Sequence, residues 1–153
     1  MSHCQFVSEQ TDECPAVVIE GDGLLDEIVL KVTITAADNG EKVFHRNAIL
    51  DTGANRTMVA PSVINGLGLE PVGVSEEMLT ASGRVFADSY TVDICLGEKI
   101  TLKNQRVYSI RWSESAENII GMDVIRKGTL YMTNNDNKSL FRFCMPKHKK
   151  ESP

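Results

Sequence analysis

The residues best suited to chemistry lie in one stretch, Ala48-Ile49-Leu50-Asp51-Thr52-Gly53-Ala54-Asn55-Arg56-Thr57-Met58-Val59. A wholly apolar run leads into Asp51, and a carboxylate at the end of a buried strand costs free energy unless it is hydrogen-bonded, so its presence there needs a reason. Two carboxylates that share one proton can activate a water for amide hydrolysis without metal or covalent intermediate. One takes the water's proton while the other gives a proton to the carbonyl under attack. A half-site of that kind must carry its carboxylate on a sharp turn. Gly53 lets the backbone approach closely, and Thr52 offers a hydroxyl that can lock the turn. Asp-Thr-Gly alone is a weak signal, since the same three residues also suit a plain Asx turn between a strand and a loop. The surroundings strengthen it. Pro61 can start a helix, a hairpin with a small-residue tip follows at Ala81-Ser82-Gly83, and Ile119-Ile120-Gly121 precedes a second short helix.

The elements that must position this stretch can be read from periodicity. Ile28, Leu30, Val32 and Ile34 alternate with Val29, Lys31, Thr33 and Thr35, the period of two of a strand with one buried face. Asp38-Asn39-Gly40 supplies a turn, and a returning strand runs from Val43 to Leu50. A short helix is expected at Ala60 to Asn65, with Gly66 and Gly68 able to stop it. A second hairpin joins Glu77–Thr80 to Val85–Leu96. Short strands are expected at Ile100–Leu102 and Val107–Ile110, then a polar loop, Arg111 to Glu117, with the lone Trp112. A short helix from Met122 to Lys127 ends at Gly128, and a final hairpin joins Leu130–Met132 to Leu140–Phe143 across an Asn/Asp-rich turn. Many short strands with at most two short helices predict an all-β barrel or sandwich.

The chain has 153 residues, a length that suits one domain. We divide it into an N-terminal arm at 1–26, with room for one strand, a domain at 27–145 and a basic tail at 146–153. With 16 Lys+Arg against 21 Asp+Glu and the one basic run, Lys147 to Lys150, at the chain end, neither nucleic acid nor a membrane is an expected partner. No basic region precedes an apolar stretch at the start, which predicts a cytoplasmic protein. Cys4, Cys14, Cys95 and Cys144 show no short paired spacing and are expected as free thiols. A zinc site from His3, Cys4, Cys14 and His148 lacks an anchoring CxxC or HxxxH pair, so no metal is expected. His45 reads as a sheet-edge side chain, and no histidine has the setting of a serine or cysteine nucleophile's base. Asp123 reads as an acid in the first turn of a helix, where the dipole favours it.

Three blocks together resemble the retropepsin-like aspartic proteases, the retroviral proteases and their cellular and bacterial single-domain relatives. They are Ile49-Leu50-Asp51-Thr52-Gly53-Ala54 with Thr57 beyond, Leu79-Thr80-Ala81-Ser82-Gly83, and Asn118-Ile119-Ile120-Gly121-Met122-Asp123-Val124-Ile125. The resemblance spans roughly Glu27 to Phe143 and implies a closed acid-protease barrel with a flap hairpin, one lobe per subunit. It implies an aspartic endopeptidase without cofactor, acting on peptides as a homodimer. Asp51 is similar to the catalytic carboxylate, Thr52 to the threonine reaching across the dimer axis, and Gly53 to the residue presenting a carbonyl to substrate. Ala54, Asn55, Ala81, Ser82 and Gly83 fall at substrate-binding positions. The second carboxylate must come from another subunit, because no other Asp-Ser/Thr-Gly occurs.

Two departures stand out. Retroviral members pair an Arg at the position of Met122 with a carboxylate at that of Asn55, and here both are gone, which avoids stranding a buried charge. Only Gly83 remains where retroviral flaps carry several glycines, and Arg84, by default a solvated side chain, follows it. The competing readings are a non-catalytic dimeric peptide-binding module of the same fold and an unrelated β-barrel binding protein. Ala54 stands where pepsin-like enzymes usually have a serine whose hydroxyl can donate to the ionised dyad. Its absence predicts an optimum of about pH 5–6 in a pH–rate profile, and a rate still rising below about pH 4 would contradict it.

Overall fold

The alternating run after Ile28 forms a strand whose apolar face enters the core: Leu30, Val32 and Ile34 are buried while Lys31 faces solvent. The computed structural model describes residues 14–38, 40–110 and 118–146. In chain order the elements are β1 (Ala16–Gly21), β2 (Val29–Ala36), β3 (Val43–Leu50), α1 (Pro61–Leu67), β4 (Glu76–Thr80) and β5 (Gly83–Leu96). They continue with β6 (Ile100–Ile110), β7 (Asn118–Ile120), α2 (Met122–Ile125), β8 (Thr129–Asn135) and β9 (Lys138–Cys144). Among the described residues no helix is long and apolar enough to cross a membrane. The expected polar loop with Trp112, the basic tail, and His3, Cys4 and His148 lie outside the described residues.

Among the described residues the protein is all-β with two short helices, but the expected closed barrel does not form. Six strands make one sheet in the order β4-β5-β2-β3-β7 with β6 paired to β5, and β1-β9-β8 make a second. The reason lies in β5. Its first part, Gly83 to Ala87, pairs with β4, and its last part, Val92 to Leu96, pairs with β2. The two neighbours occupy opposite ends of one strand, so the sheet branches and projects a hairpin rather than rolling shut. At the far end β7 is three residues long and offers little edge to close upon.

The second sheet backs the first. Val17, Ile19, Phe141 and Phe143 face Leu30 and Leu50 across a small apolar gap, directly behind the strand that leads into Asp51. Ala16 to Gly21, within the expected arm, pairs over its whole length with β9. That pairing brings Cys14 and Cys144 together as a disulfide with their Cα atoms 6.0 Å apart, which corrects the expectation of free thiols for these two. Their separation of 130 residues hides the pair from any reading of spacing. Cys95 remains a free thiol. Helix α1 opens on Pro61 and stops at Gly68, whose left-handed φ of 65° donates its N–H back to the Asn65 carbonyl. Gly66, a candidate stop, instead lies within the helix with the Phe44 ring against it. The β8–β9 turn places Asp136 and Asn137 at φ of 50° and 60°, the pair of positive values that a two-residue hairpin needs.

Strand β6 runs unbroken through the residues read as a gap between two short strands, because Asp93 secures a bulge there. The register shifts between Val92 and Ile94, opposite Asn104 with its φ of 52°. The Asp93 carboxylate accepts the Asn104 N–H at 2.9 Å and pairs with Lys103 at 3.0 Å. Burial pushes the Asp93 pKa up, but the Asn104 N–H and the Lys103 ammonium outweigh it and hold the group below its ordinary value of 3.8. A carboxyl lowered by folding stabilises the fold above its unfolded value and ceases to do so as pH falls through the folded value. Asp93→Ala should therefore cost about 1–2 kcal/mol at neutral pH. In urea melts between pH 7 and pH 2 the gap to wild type should narrow below the ordinary aspartate range.

Candidate active site

Asp51 follows β3 directly, and the chain from Asp51 to Ala60 is threaded between two other segments. Strand β7 lies parallel to β3, with Ala48 beside Asn118 and Leu50 beside Ile120. The Asp51 N–H donates to the Ile120 carbonyl at 2.9 Å, so the ladder reaches Asp51 itself. Met58 then bridges outward: its N–H donates to Ile119 O and its carbonyl accepts the Ile119 N–H, at 2.8 and 2.9 Å. On the other side the Val59 N–H donates to Tyr108 O and the Tyr108 N–H donates to Thr57 O. The buried Asn118 side chain closes the loop's end, accepting the Ala60 N–H at 2.9 Å and donating to Asn47 O.

Within this frame Asp51 makes the Asx turn its sequence suggests: the Gly53 N–H donates to Asp51 Oδ1 at 2.8 Å. A Cβ at position 53 would sit 3.1 Å from that same oxygen, tight enough to crowd the carboxylate. The turn leaves Asp51 half-buried at the floor of an open cleft of about 680 Å³, roofed by the β4–β5 hairpin. Of the residues expected to act at this site, Asp51, Gly53, Ala54, Asn55 and Ala81 line the cleft. Thr52 is exposed beside it, and Ser82 and Gly83 at the hairpin tip do not line it. Arg84 is exposed but bonded, reaching Glu77 at 3.4 Å across the hairpin. Met122, standing where an ion-pair partner was considered, packs against the hydrophobic core. Among the described residues no group of His, Cys, Asp and Glu is placed to hold a metal ion.

Two residues matter more than their sequence context implied. Thr57 is fully buried, and its hydroxyl donates to Asp123 Oδ1 at 2.7 Å while accepting the Gly121 N–H at 3.1 Å. Asp123 Oδ2 takes the Thr57 N–H at 3.0 Å, and Oδ1 also takes the Val124 N–H at 2.9 Å. Asp123 does sit in the first turn of α2, but that helix has four residues, and the carboxylate's main work is to clasp the loop that follows Asp51. Gly121 allows the approach, since a Cβ there would lie 2.6 Å from the Arg56 carbonyl carbon. The sequence singles out Thr57 within the Asp51 block and Asp123 as a helix-start acid, but no local signal joins the two across 66 residues.

This architecture is that of a retropepsin-like protease fold. The described chain is similar to a retropepsin-like aspartic protease from Rickettsia conorii, with a TM-score of 0.55 and 13% identity over 86% of this chain and 95% of that one. It also matches an EIAV protease complexed with the inhibitor HBY-793, with a TM-score of 0.46 and 22% identity over 67% and 88% of the two chains. A comparison with curated proteins finds no match. The aspartyl protease family model matches residues 30–124, and the chain belongs to that family.

The clasp generates a specific expectation. Three donors converge on the two oxygens of Asp123, so an amide cannot replace it: either orientation of an asparagine sets its NH2 against a backbone N–H. Asp123→Asn should cost about 2–4 kcal/mol in a urea titration. A residual displacement of the loop should lower turnover by about 10–100-fold in the fraction that remains folded.

Proposed function

We propose that the protein is an aspartic endopeptidase active as a homodimer, in which Asp51 of each subunit holds one water between two carboxylates. The observation that carries this reading is a carboxylate fixed by the Gly53 N–H in an open cleft of about 680 Å³ that the β4–β5 hairpin also lines, in a chain that supplies one such group. One carboxylate removes a proton from the water as its oxygen attacks the scissile carbonyl carbon. The other donates its proton to the carbonyl oxygen, giving a neutral tetrahedral diol. The proton gained from water then passes to the leaving nitrogen, the C–N bond breaks, and one carboxyl proton is returned to the dyad.

In this reading Thr52, exposed beside the cleft, reaches toward its symmetry mate, and the Gly53 carbonyl receives a substrate N–H. The β4–β5 hairpin acts as the flap. Its backbone at Met78 to Ala81 can add the substrate as a further strand, and Met78, Ile110 and Ile119 offer apolar contact. Ala54, Asn55 and Ala81 border the peptide from floor and roof, and Ser82 and Gly83 at the tip close over it.

Peptide-pool cleavage between pH 4 and pH 7 tests the proposal at protein concentrations shown by ultracentrifugation to give dimer. Asp51→Asn should retain the fold and lose about 10³-fold or more of the rate. Wild-type activity should also collapse on dilution into monomer. Cleavage that survives Asp51→Asn, or a well-folded wild-type dimer that cleaves nothing, would overturn it.

A further inference from the structure

Among the described residues the cleft carries four charged side chains, and their pairing is uneven. Glu77 on the hairpin is matched by Arg84 at 3.4 Å, and Glu76 by Arg106 at 3.9 Å. Asp51 belongs to the reacting centre. Arg56, the one cation lining the cleft among the described residues, is exposed on the floor, and no described carboxylate lies within ion-pair distance of it. Its guanidinium lies over the Tyr108 ring at 5.6 Å, and the guanidinium of Arg106 meets the same ring at 5.8 Å. With Arg106 paired to Glu76, Arg56 is the cation on this ring that no described carboxylate pairs. Tyr108 itself cannot neutralise that charge; it supplies only the negative face of its ring.

Arg56 is also held in place from behind. Its backbone is wedged against Gly121, and the next residue, Thr57, is clasped by Asp123 through both backbone and hydroxyl. A long side chain rooted in a fixed backbone and laid on a ring gives up less rotamer freedom when it binds than a free one. We propose that Arg56 is a specificity-determining residue that receives an acidic side chain, Asp or Glu, of the substrate peptide close to the scissile bond. The fork of its guanidinium can take both oxygens of a carboxylate at once. In the proposed dimer each subunit contributes one Arg56, so acidic residues would be favoured on either side of the cleaved bond. Glu76 and Glu77 do not defeat this, because each is already paired with its own arginine, Arg106 and Arg84. The proposal rests on the peptidase reading above.

The test compares fluorogenic peptide pools carrying Glu, Gln or Lys at each position flanking the cleaved bond, with wild type, Arg56→Gln and Arg56→Glu. Circular dichroism should first show each variant folded. Wild type should prefer Glu over Gln by about tenfold in kcat/KM at one position on each side, the value of a partly exposed charge-assisted contact. That preference should shrink in 0.5 M NaCl. Arg56→Gln should bring Glu and Gln to parity, and Arg56→Glu should favour Lys. Wild-type cleavage without an acidic preference would overturn the inference while leaving the peptidase reading intact. An equal loss on all peptides in Arg56→Gln would assign the residue a structural role instead. If wild type cleaves no pool, the peptidase reading falls and this inference falls with it.

Discussion

The Thr57–Asp123 contact is the constraint on which the site depends. A fully buried hydroxyl between a carboxylate oxygen and the Gly121 N–H has both its donor and its acceptor used. Losing either partner would leave a polar group without water or protein to satisfy it, which costs more than the bond itself is worth when formed. The contact therefore fixes the distance between two segments that the chain keeps far apart. It also fixes where Arg56 and Ala54 sit, because Gly121 and Met122 press on their backbones, the Met122 N–H donating to the Ala54 carbonyl at 2.7 Å.

Such a clasp is needed because a loop from Asp51 to Ala60 has no regular structure of its own until α1 begins. Ordering its backbone costs about 1–2 kcal/mol per residue, which local turns cannot recover. The protein recovers it by long-range pairing. β7 extends the β3 ladder to Asp51, Tyr108 on β6 holds Thr57 and Val59, and Asn118 holds Ala60. Behind them the second sheet presses Phe141 and Phe143 toward Leu50. The loop is thus a strand-like insert between β6 and β7 rather than an excursion into solvent.

What could be read from the sequence follows from this division between local and long-range forces. The period-two face of Leu30, Val32 and Ile34, the proline start of α1 and the Asn/Asp turn before β9 are set by nearby residues, and they occur where expected. β7 was invisible as a strand, because three residues show no period and its parallel partner lies 70 positions earlier in the register of Ala48 with Asn118. The bulge at Asp93 made one strand look like two. The Cys14–Cys144 pair and the branching of the sheet at β5 both depend on strand order, which no local pattern carries. At the site, Asp51 and Gly53 were legible from their own chemistry. Thr57 and Asp123 become a unit only once β7 has brought their segments together.

Two aspartates at the same site differ in how much of their acceptor capacity the fold uses. Asp123 takes three donors on its two oxygens, and a carboxylate so occupied has little capacity left for a ligand. Asp51 takes one, the Gly53 N–H, among the described residues, and it faces an open cleft with most of its acceptor capacity unspent. A carboxylate held by a single bond on a rigid loop can accept a water, a substrate group or a second carboxylate without first breaking its own support. The saturated aspartate makes that possible, because it takes over the task of holding the loop and leaves the other open to the cleft.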